Sequence, residues 1–435
     1  MIKILRLPLI FLSLIFFSCS ISHKINRSAN EDIIQNKAFK AAHAGICVYE
    51  PETGKYWYNY QADKYFVPAS NTKLFTCYAA MKYLGDSILG IKYRETNDTL
   101  YVTATGDPTF LGSDFSSPPV YDFLKNTSKP IVLNTSLWDE ERWGDGWAWN
   151  DYNDDYAAER SAMPIYENLA TFSSELHNIQ VSPPYFSAKI TYKRSANNYT
   201  SIRRDISSNG FTITGPSSLQ RAVQVPFCTV GDSVLTNILE DTLHKKISIR
   251  SLSNVEEETT LKSLYSQPTD SFLKITMHRS DNFFAEQSLL MVSGKILGTM
   301  NDEKIIDTLL KTDYKDLPQM PNWVDGSGLS HYNLFSPKDF VMLLNKMKRD
   351  FGMDRIKQIL PTGGTGTLSS FYKTEKGYIF AKTGTLSGVV ALSGFLYTRK
   401  NKLIIFSVLV NNHHTSATTI RQGVQKFIEE LQHTN

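Results

Sequence analysis

Three short motifs stand in an order that can carry acyl-transfer chemistry: Ser70-Asn-Thr-Lys73, Ser280-Asp-Asn282 and Lys382-Thr-Gly384-Thr385. Singly, two of them mean little. Ser-x-x-Lys begins again at Ser271 and Ser370, and about two matches are expected by chance in a chain of this composition. Ser-x-Asn recurs at Ser28, Ser195 and Ser207, whereas Lys-Thr-Gly occurs once. Taken together they meet the needs of a serine nucleophile. A hydroxyl attacks poorly at neutral pH without a base within hydrogen-bond reach, and one helical turn places the Lys73 amine beside Ser70. That amine must be neutral part of the time, so its pKa must fall from about 10.4 through burial and a neighbouring cation such as Lys382. Ser280 and Asn282 are placed to relay a proton to a leaving amine and to hold Lys73. The Ser70 N–H at the helix start and the Thr385 N–H on a strand can together bind an oxyanion. Lys382, Thr383 and Thr385 offer charge and hydroxyls to a substrate carboxylate, and Gly384 lets substrate backbone lie close. Against this stand plainer readings, a helix cap before Phe283 and Phe284 for Ser280-Asp-Asn and a strand-end turn for Lys382-Thr-Gly.

The elements around the motifs follow from hydrophobic period. HAGICVYE at His43–Glu50, the turn-like PETGK and YWYNY predict a hairpin. Leu74, Tyr78 and Met81 recur at helical spacing between Pro68 and Gly85, so Ser70 and Lys73 open a helix. From 92 to 258 short alternating runs (TLYVTATG, PIVLN, AKITYKR, GFTITG) predict a β-rich insertion. Helical patterning is expected over 261–297. The chain closes with strands (GYIFAKTG, VVALSGFLYT, KLIIFSVLVN) and a helix with Ile420, Val424, Phe427, Ile428 and Leu431 on one face. Strands at both ends predict an α/β (α+β) domain formed by 39–91 and 259–435, its antiparallel sheet flanked by helices.

Composition narrows the class. The 435 residues, 41% hydrophobic and 20% charged, describe a globular chain, and 46 Lys plus Arg against 43 Asp plus Glu leave no basic stripe for nucleic acid. Residues 1–18 read as an export signal: Lys3 and Arg6 precede an apolar run, Leu7–Phe17, too short to span a bilayer comfortably. Cys19 follows where a bacterial lipoprotein carries its lipid-acceptor cysteine, which predicts a membrane anchor, and the polar stretch 19–38 reads as a tether. Cys47, Cys77 and Cys228 are expected to be small buried hydrophobes. His413 and His414 have no metal-ligand spacing around them and are taken as loop residues. The chemistry calls for no metal or organic cofactor.

Further segments carry a resemblance. Gly106-Asp-Pro-Thr109, WGDGWAWNDY at Trp143–Tyr152, SAMPIYEN at Ser161–Asn168 and Asp325-Gly-Ser-Gly-Leu-Ser330, together with the three motifs, resemble the D-alanyl-D-alanine carboxypeptidases/endopeptidases of the penicillin-binding protein 4 (DacB) type, from about Phe39 to the end. The long separation of Lys73 from Ser280 is a hallmark of that family, and the resemblance implies two subdomains within 92–258, although the insertion is somewhat short. The resemblance implies a β-lactamase/transpeptidase-like fold and a periplasmic serine DD-peptidase acting on peptidoglycan stem peptides. It also implies acylation of Ser70 by β-lactams and leaves room for a homodimer. Asp151 matches a position that can face the free amino end of a diaminopimelate side chain, and a local turn residue is its plainer reading. His331 stands where the family usually has Arg. The aromatic cluster Trp138–Tyr152 is either core or a groove for peptidoglycan. Two alternatives remain open at this point: a serine β-lactamase and a catalytically inactive peptidoglycan-binding envelope protein.

Overall fold

A computed structural model describes residues 23–175, 178–193, 195, 199–216, 218–250 and 261–433. The expected signal segment 1–18 and Cys19 lie outside the described residues.

The two ends of the chain share one sheet. Strands β1 (His43–Glu50) and β2 (Lys55–Tyr60) form the expected hairpin, and β1 pairs antiparallel with a C-terminal strand, Ile46 facing Val408. Side chains along β1 alternate. Ala44, Ile46 and Val48 enter one apolar cluster, whereas Cys47 and Tyr49 enter another on the opposite face. Both faces are covered, which is why VVALSGFLYT and KLIIFSVLVN read as unbroken apolar runs. On one face lies the closing helix Ala417–His433, with Ile420, Val424, Phe427, Ile428 and Leu431 all buried. On the other lie helices Lys73–Tyr83, Thr269–Arg279 and Asn282–Leu297, with Pro337–Ile359, which breaks at Gly352. The nucleophile helix is enclosed on all sides, every residue from Lys73 to Met81 being buried.

Between the ends lies the insertion. Strands β3 (Ser87–Glu95), β4 (Leu100–Ala104) and β5 (Ile131–Asn134) join its main sheet. Two three-stranded sheets are built from β6 (Leu169–Glu175), β7 (Asn178–Ser182), β8 (Ile190–Lys193), β9 (Ser201–Arg204), β10 (Phe211–Thr214) and β11 (Val223–Pro226). The main sheet is completed by β12 (Ile247–Ile249) and β13 (Lys262–Pro268), in the order β12-β5-β4-β3-β13. The terminal strands β14 (Ile379–Leu386), β15 (Val389–Tyr397) and β16 (Leu403–Asn411) then give the catalytic sheet its order, β14-β15-β16-β1-β2.

Three expectations are corrected here. The insertion's main sheet begins at Ser87 and ends at Pro268, outside the expected 92–258, because the outgoing strand β3 pairs with the returning strand β13. KSLYSQP is accordingly strand where helix was expected: it takes its partner from β3, a contact no local pattern announces. Within the span of the main sheet the chain from Leu169 to Pro226 forms the two three-stranded sheets, and all three sheets share one apolar cluster running from Ile91 through Phe172 and Phe211 to Ile247. Finally, the described part of 19–38 is not a tether. Residues 23–34 are helical, and Ile25, Ala29 and Ile33 are buried at 1%, 0% and 0% exposure in the cluster under the closing helix. Their spacing of four makes a narrow apolar stripe, easily missed among polar neighbours. Truncating Ile33 to Ala should therefore cost about 3 kcal/mol in chemical denaturation; a free tether would show no change.

Candidate active site

Ser70 sits in a tight turn, Ala69–Thr72, immediately before the helix that begins at Lys73. Ala69 holds φ +48°, a region unfavourable to L-residues, and its carbonyl packs on the 325–330 loop so closely that a Cβ on Gly328 (φ +82°) would lie 1.9 Å from it. Only glycine fits there. The turn is also pressed against β14: a Cβ on Gly384 would lie 2.7 Å from Pro68 O and 3.1 Å from Ser70 N. Gly384 thus serves the approach of its own strand to the nucleophile's turn, which the substrate-based expectation did not include.

The Lys73 amine is the centre of the site. It donates to Ser70 Oγ at 2.9 Å, Asn282 Oδ1 at 2.6 Å and Ser327 O at 2.8 Å, with the residue 1% exposed. Burial pulls its pKa down to about 8, against the upward pull of Asp325, Asp281 and Glu286. The expected cause was partly a neighbouring cation; the effect runs the other way. Lys382 on β14, fully buried, is held well below the ordinary lysine range by burial first and by Lys73 second. Its amine donates to Ser280 Oγ at 2.8 Å and to Thr383 O at 2.7 Å.

Ser280 and Asn282 stand where two helices meet. Ser280 ends the Thr269–Arg279 helix in the left-handed region (φ +61°), and Asp281 caps the next helix by accepting from Phe284 N at 2.7 Å. The capping reading and the catalytic reading of this motif hold together: the cap fixes the turn that presents Ser280 to Lys382 and Asn282 to Lys73. Asn282 Nδ2 in turn donates to Tyr156 O at 2.9 Å. A cavity of about 530 Å³ is lined by Ser70, Ser280, Asn282 and Thr385, and also by Asp151, Tyr156, Leu329 and His331. Asp151, matched to a substrate-facing family position, and His331, noted only as a departure from the family, thus both line the cavity that holds Ser70. Among the described residues no cluster of three or more His, Cys, Asp or Glu could hold a metal, and Cys47, Cys77 and Cys228 are buried free thiols.

Residues 27–431 match the model of the D-Ala-D-Ala carboxypeptidase 3 (S13) family. The chain belongs to that family. It is 24% identical over 438 residues to a D-alanyl-D-alanine carboxypeptidase of Actinomadura sp. (strain R39), covering 88% of this chain and 80% of the relative. To the D-alanyl-D-alanine carboxypeptidase DacB of Haemophilus influenzae it is 23% identical over 454 residues, covering 92% of each. The crystal structure of penicillin binding protein 4 from that organism superposes with a TM-score of 0.73 at 20% identity, over 94% of this chain and 98% of that one. The same protein is known in complex with a β-lactam. Family membership makes this chain a hydrolase of the D-Ala-D-Ala carboxypeptidase type, and the superposition accounts for its fold.

Two expected site features differ. Thr383 lines a small separate cavity with Phe371, Arg421 and Val424, whereas Thr385 lines the one that holds Ser70. The Trp-rich stretch is largely structural. The arginines at 142, 160 and 204 lie over the rings of Trp143, Trp147 and Tyr152, and Trp147 Nε1 donates to Asp325 Oδ2 at 3.0 Å. Trp149 is the exception at 73% exposure.

A second layer was read only in part: the segment Asp325–Ser330 was marked by resemblance, whereas Glu286 and Arg160 were not. Asp325, buried, accepts from Gly328 N, Ser330 N and Asn333 Nδ2, each at 2.7 Å, and so folds the loop whose Ser327 carbonyl holds Lys73. The Ser327 N–H is fixed by Glu286 Oε1 at 2.7 Å, and Arg160 of the insertion lies 3.4 Å from Glu286 Oε2. Glu286 stands four residues after Asn282 on one helix face, the one sequence signal that could have singled it out. Burial, then Asp325, push its pKa up to about 8, and Arg160 opposes them. Acylation needs the neutral amine, so the rate at which a fluorescent penicillin labels the protein should rise with pH through about 8. Ionised Glu286 favours protonated Lys73, so Glu286→Gln should move that rise to lower pH. The looser Ser327 peptide should also lower the plateau, on the order of tenfold. A rise at unchanged pH would show that Glu286 does not act on Lys73.

Proposed function

We propose that this protein is an envelope serine DD-peptidase that trims, and also de-crosslinks, peptidoglycan stem peptides through an acyl-enzyme on Ser70. The observation that carries the reading is the buried Lys73 amine, depressed to about 8 and 2.9 Å from Ser70 Oγ. Neutral Lys73 takes the hydroxyl proton as Oγ attacks the carbonyl of the penultimate D-Ala. The tetrahedral oxygen is received by the N–H groups of Ser70 and Thr385, which lie on segments that Gly384 brings into contact. The C–N bond breaks as the leaving amine accepts a proton through Ser280, itself hydrogen-bonded to Lys382. Water then attacks the ester, giving its proton back through Lys73 and releasing the shortened peptide. Asp151, in the same cavity, faces the amino end of the diaminopimelate side chain. Residues 1–18 direct export, and lipidated Cys19 anchors the protein in the membrane.

The family's β-lactam ligands supply the test, because a strained lactam amide imitates the D-Ala-D-Ala end. Intact-mass analysis of the chain from Ser20 after benzylpenicillin should show one long-lived adduct that is absent from Ser70→Ala. Rapid drug hydrolysis with only a fleeting adduct would make the protein a β-lactamase. Neither adduct nor hydrolysis would leave a peptidoglycan-binding protein without catalysis.

A further inference from the structure

Arg421 lies near the start of the closing helix Ala417–His433, partly buried, and no carboxylate pairs with it among the described residues. A guanidinium withdrawn from water without a counter-charge is costly, and such sites in proteins are usually completed by an anion. Its Nη2 donates to Thr385 Oγ1 at 2.5 Å, and its Cζ lies 6.0 Å from the centre of the Phe371 ring. Phe371 offers a flat face and no charge. The bond to Thr385 has a directional consequence. A hydroxyl has a single proton, so an oxygen already accepting from a cation is left to donate that proton elsewhere. Thr385 is exposed and lines the cavity that holds Ser70. A charge-backed O–H donor therefore faces the space beside the nucleophile. Lys382 cannot fill this role directly, because its amine is buried against Ser280 and Thr383 O.

We propose that Arg421 is a positioning residue that fixes the Thr385 hydroxyl as a donor to the substrate carboxylate next to the leaving amine, and so selects scissile amides that carry that carboxylate. The inference rests on acylation at Ser70 and adds the selection of substrates that carry a free carboxylate next to the leaving amine. A charge-assisted hydrogen bond of this kind is worth about a tenfold difference in binding or more.

The experiment compares kcat and KM for one peptide ending in D-Ala-D-Ala with those for the same peptide ending in the carboxamide. Active sites are counted by the penicillin adduct. Wild type should prefer the carboxylate. In Arg421→Met the carboxylate-to-carboxamide ratio of kcat/KM should fall about tenfold, chiefly through KM. Arg421→Lys, which keeps the charge but loses the planar fork, should fall in between. A merely structural role for Arg421 would lower both substrates alike. An unchanged ratio in Arg421→Met, or no preference in wild type, overturns the proposal. If Arg421→Met does not fold, an unchanged ratio in folded Arg421→Lys does the same. Wild type that cleaves neither peptide would instead remove the Ser70 reading on which the proposal stands.

Discussion

A lysine amine enclosed in protein is the constraint around which this structure is arranged. Taking Lys73 from an ordinary value of 10.5 to about 8 corresponds to roughly 3 kcal/mol between its two protonation states. That penalty on the charged form leaves a share of the amine neutral, and so able to take the serine's proton, near neutral pH. It is tolerable only because all three of the amine's hydrogen bonds are met, by a hydroxyl, an amide oxygen and a carbonyl from three different segments. Each segment must be held rigidly. Gly328 and Gly384 allow loop and strand to touch the Ala69–Ser70 turn, Asp325 folds the loop, and Asp281 caps the helix that carries Asn282.

The insertion belongs to this arrangement. Three of its segments grip the turn and helix that carry Ser280 and Asn282. The Tyr156 carbonyl takes the Asn282 amide, Arg160 approaches Glu286, and Asp114 and Glu167 pair with Arg279, the residue before Ser280. Glu167 sits in a run of three left-handed residues, Tyr166, Glu167 and Asn168, at φ +53°, +58° and +54°. Such a run is strained, and it persists because its neighbours over-determine it: Asn168 is bound to Glu159 O and Ser161 Oγ, and Glu167 to Ser113 N. Strain and buried charge here are spent on placing the second motif against the first.

How much of this could be read beforehand divides along the reach of each contact. The order of the three motifs, the hairpin, the nucleophile helix and the apolar face of the closing helix are local patterns, and each was legible. Asp151 was singled out through resemblance alone, and His331 only as a departure from the family pattern; both line the cavity beside the nucleophile. What was missed is long-range or sparse. Arg160 meets Glu286 across 126 positions, and KSLYSQP is a strand only because β3 lies alongside. Three buried apolar residues spaced by four in 23–34 were too few to register as a helix. Thr383 was assigned to the substrate by its motif and lines a separate cavity beside Arg421.

The central claim is that burial, set against the nearby carboxylates, brings the Lys73 amine close to neutral pH in the resting protein. The direct measurement is an NMR titration of the protein with ¹³C-labelled lysine, the Lys73 Cε resonance being assigned by its loss in Lys73→Arg. The account predicts a midpoint near 8 for that resonance. A midpoint at the ordinary lysine value would mean that Lys73 stays charged beside Ser70, and that some other group takes the proton.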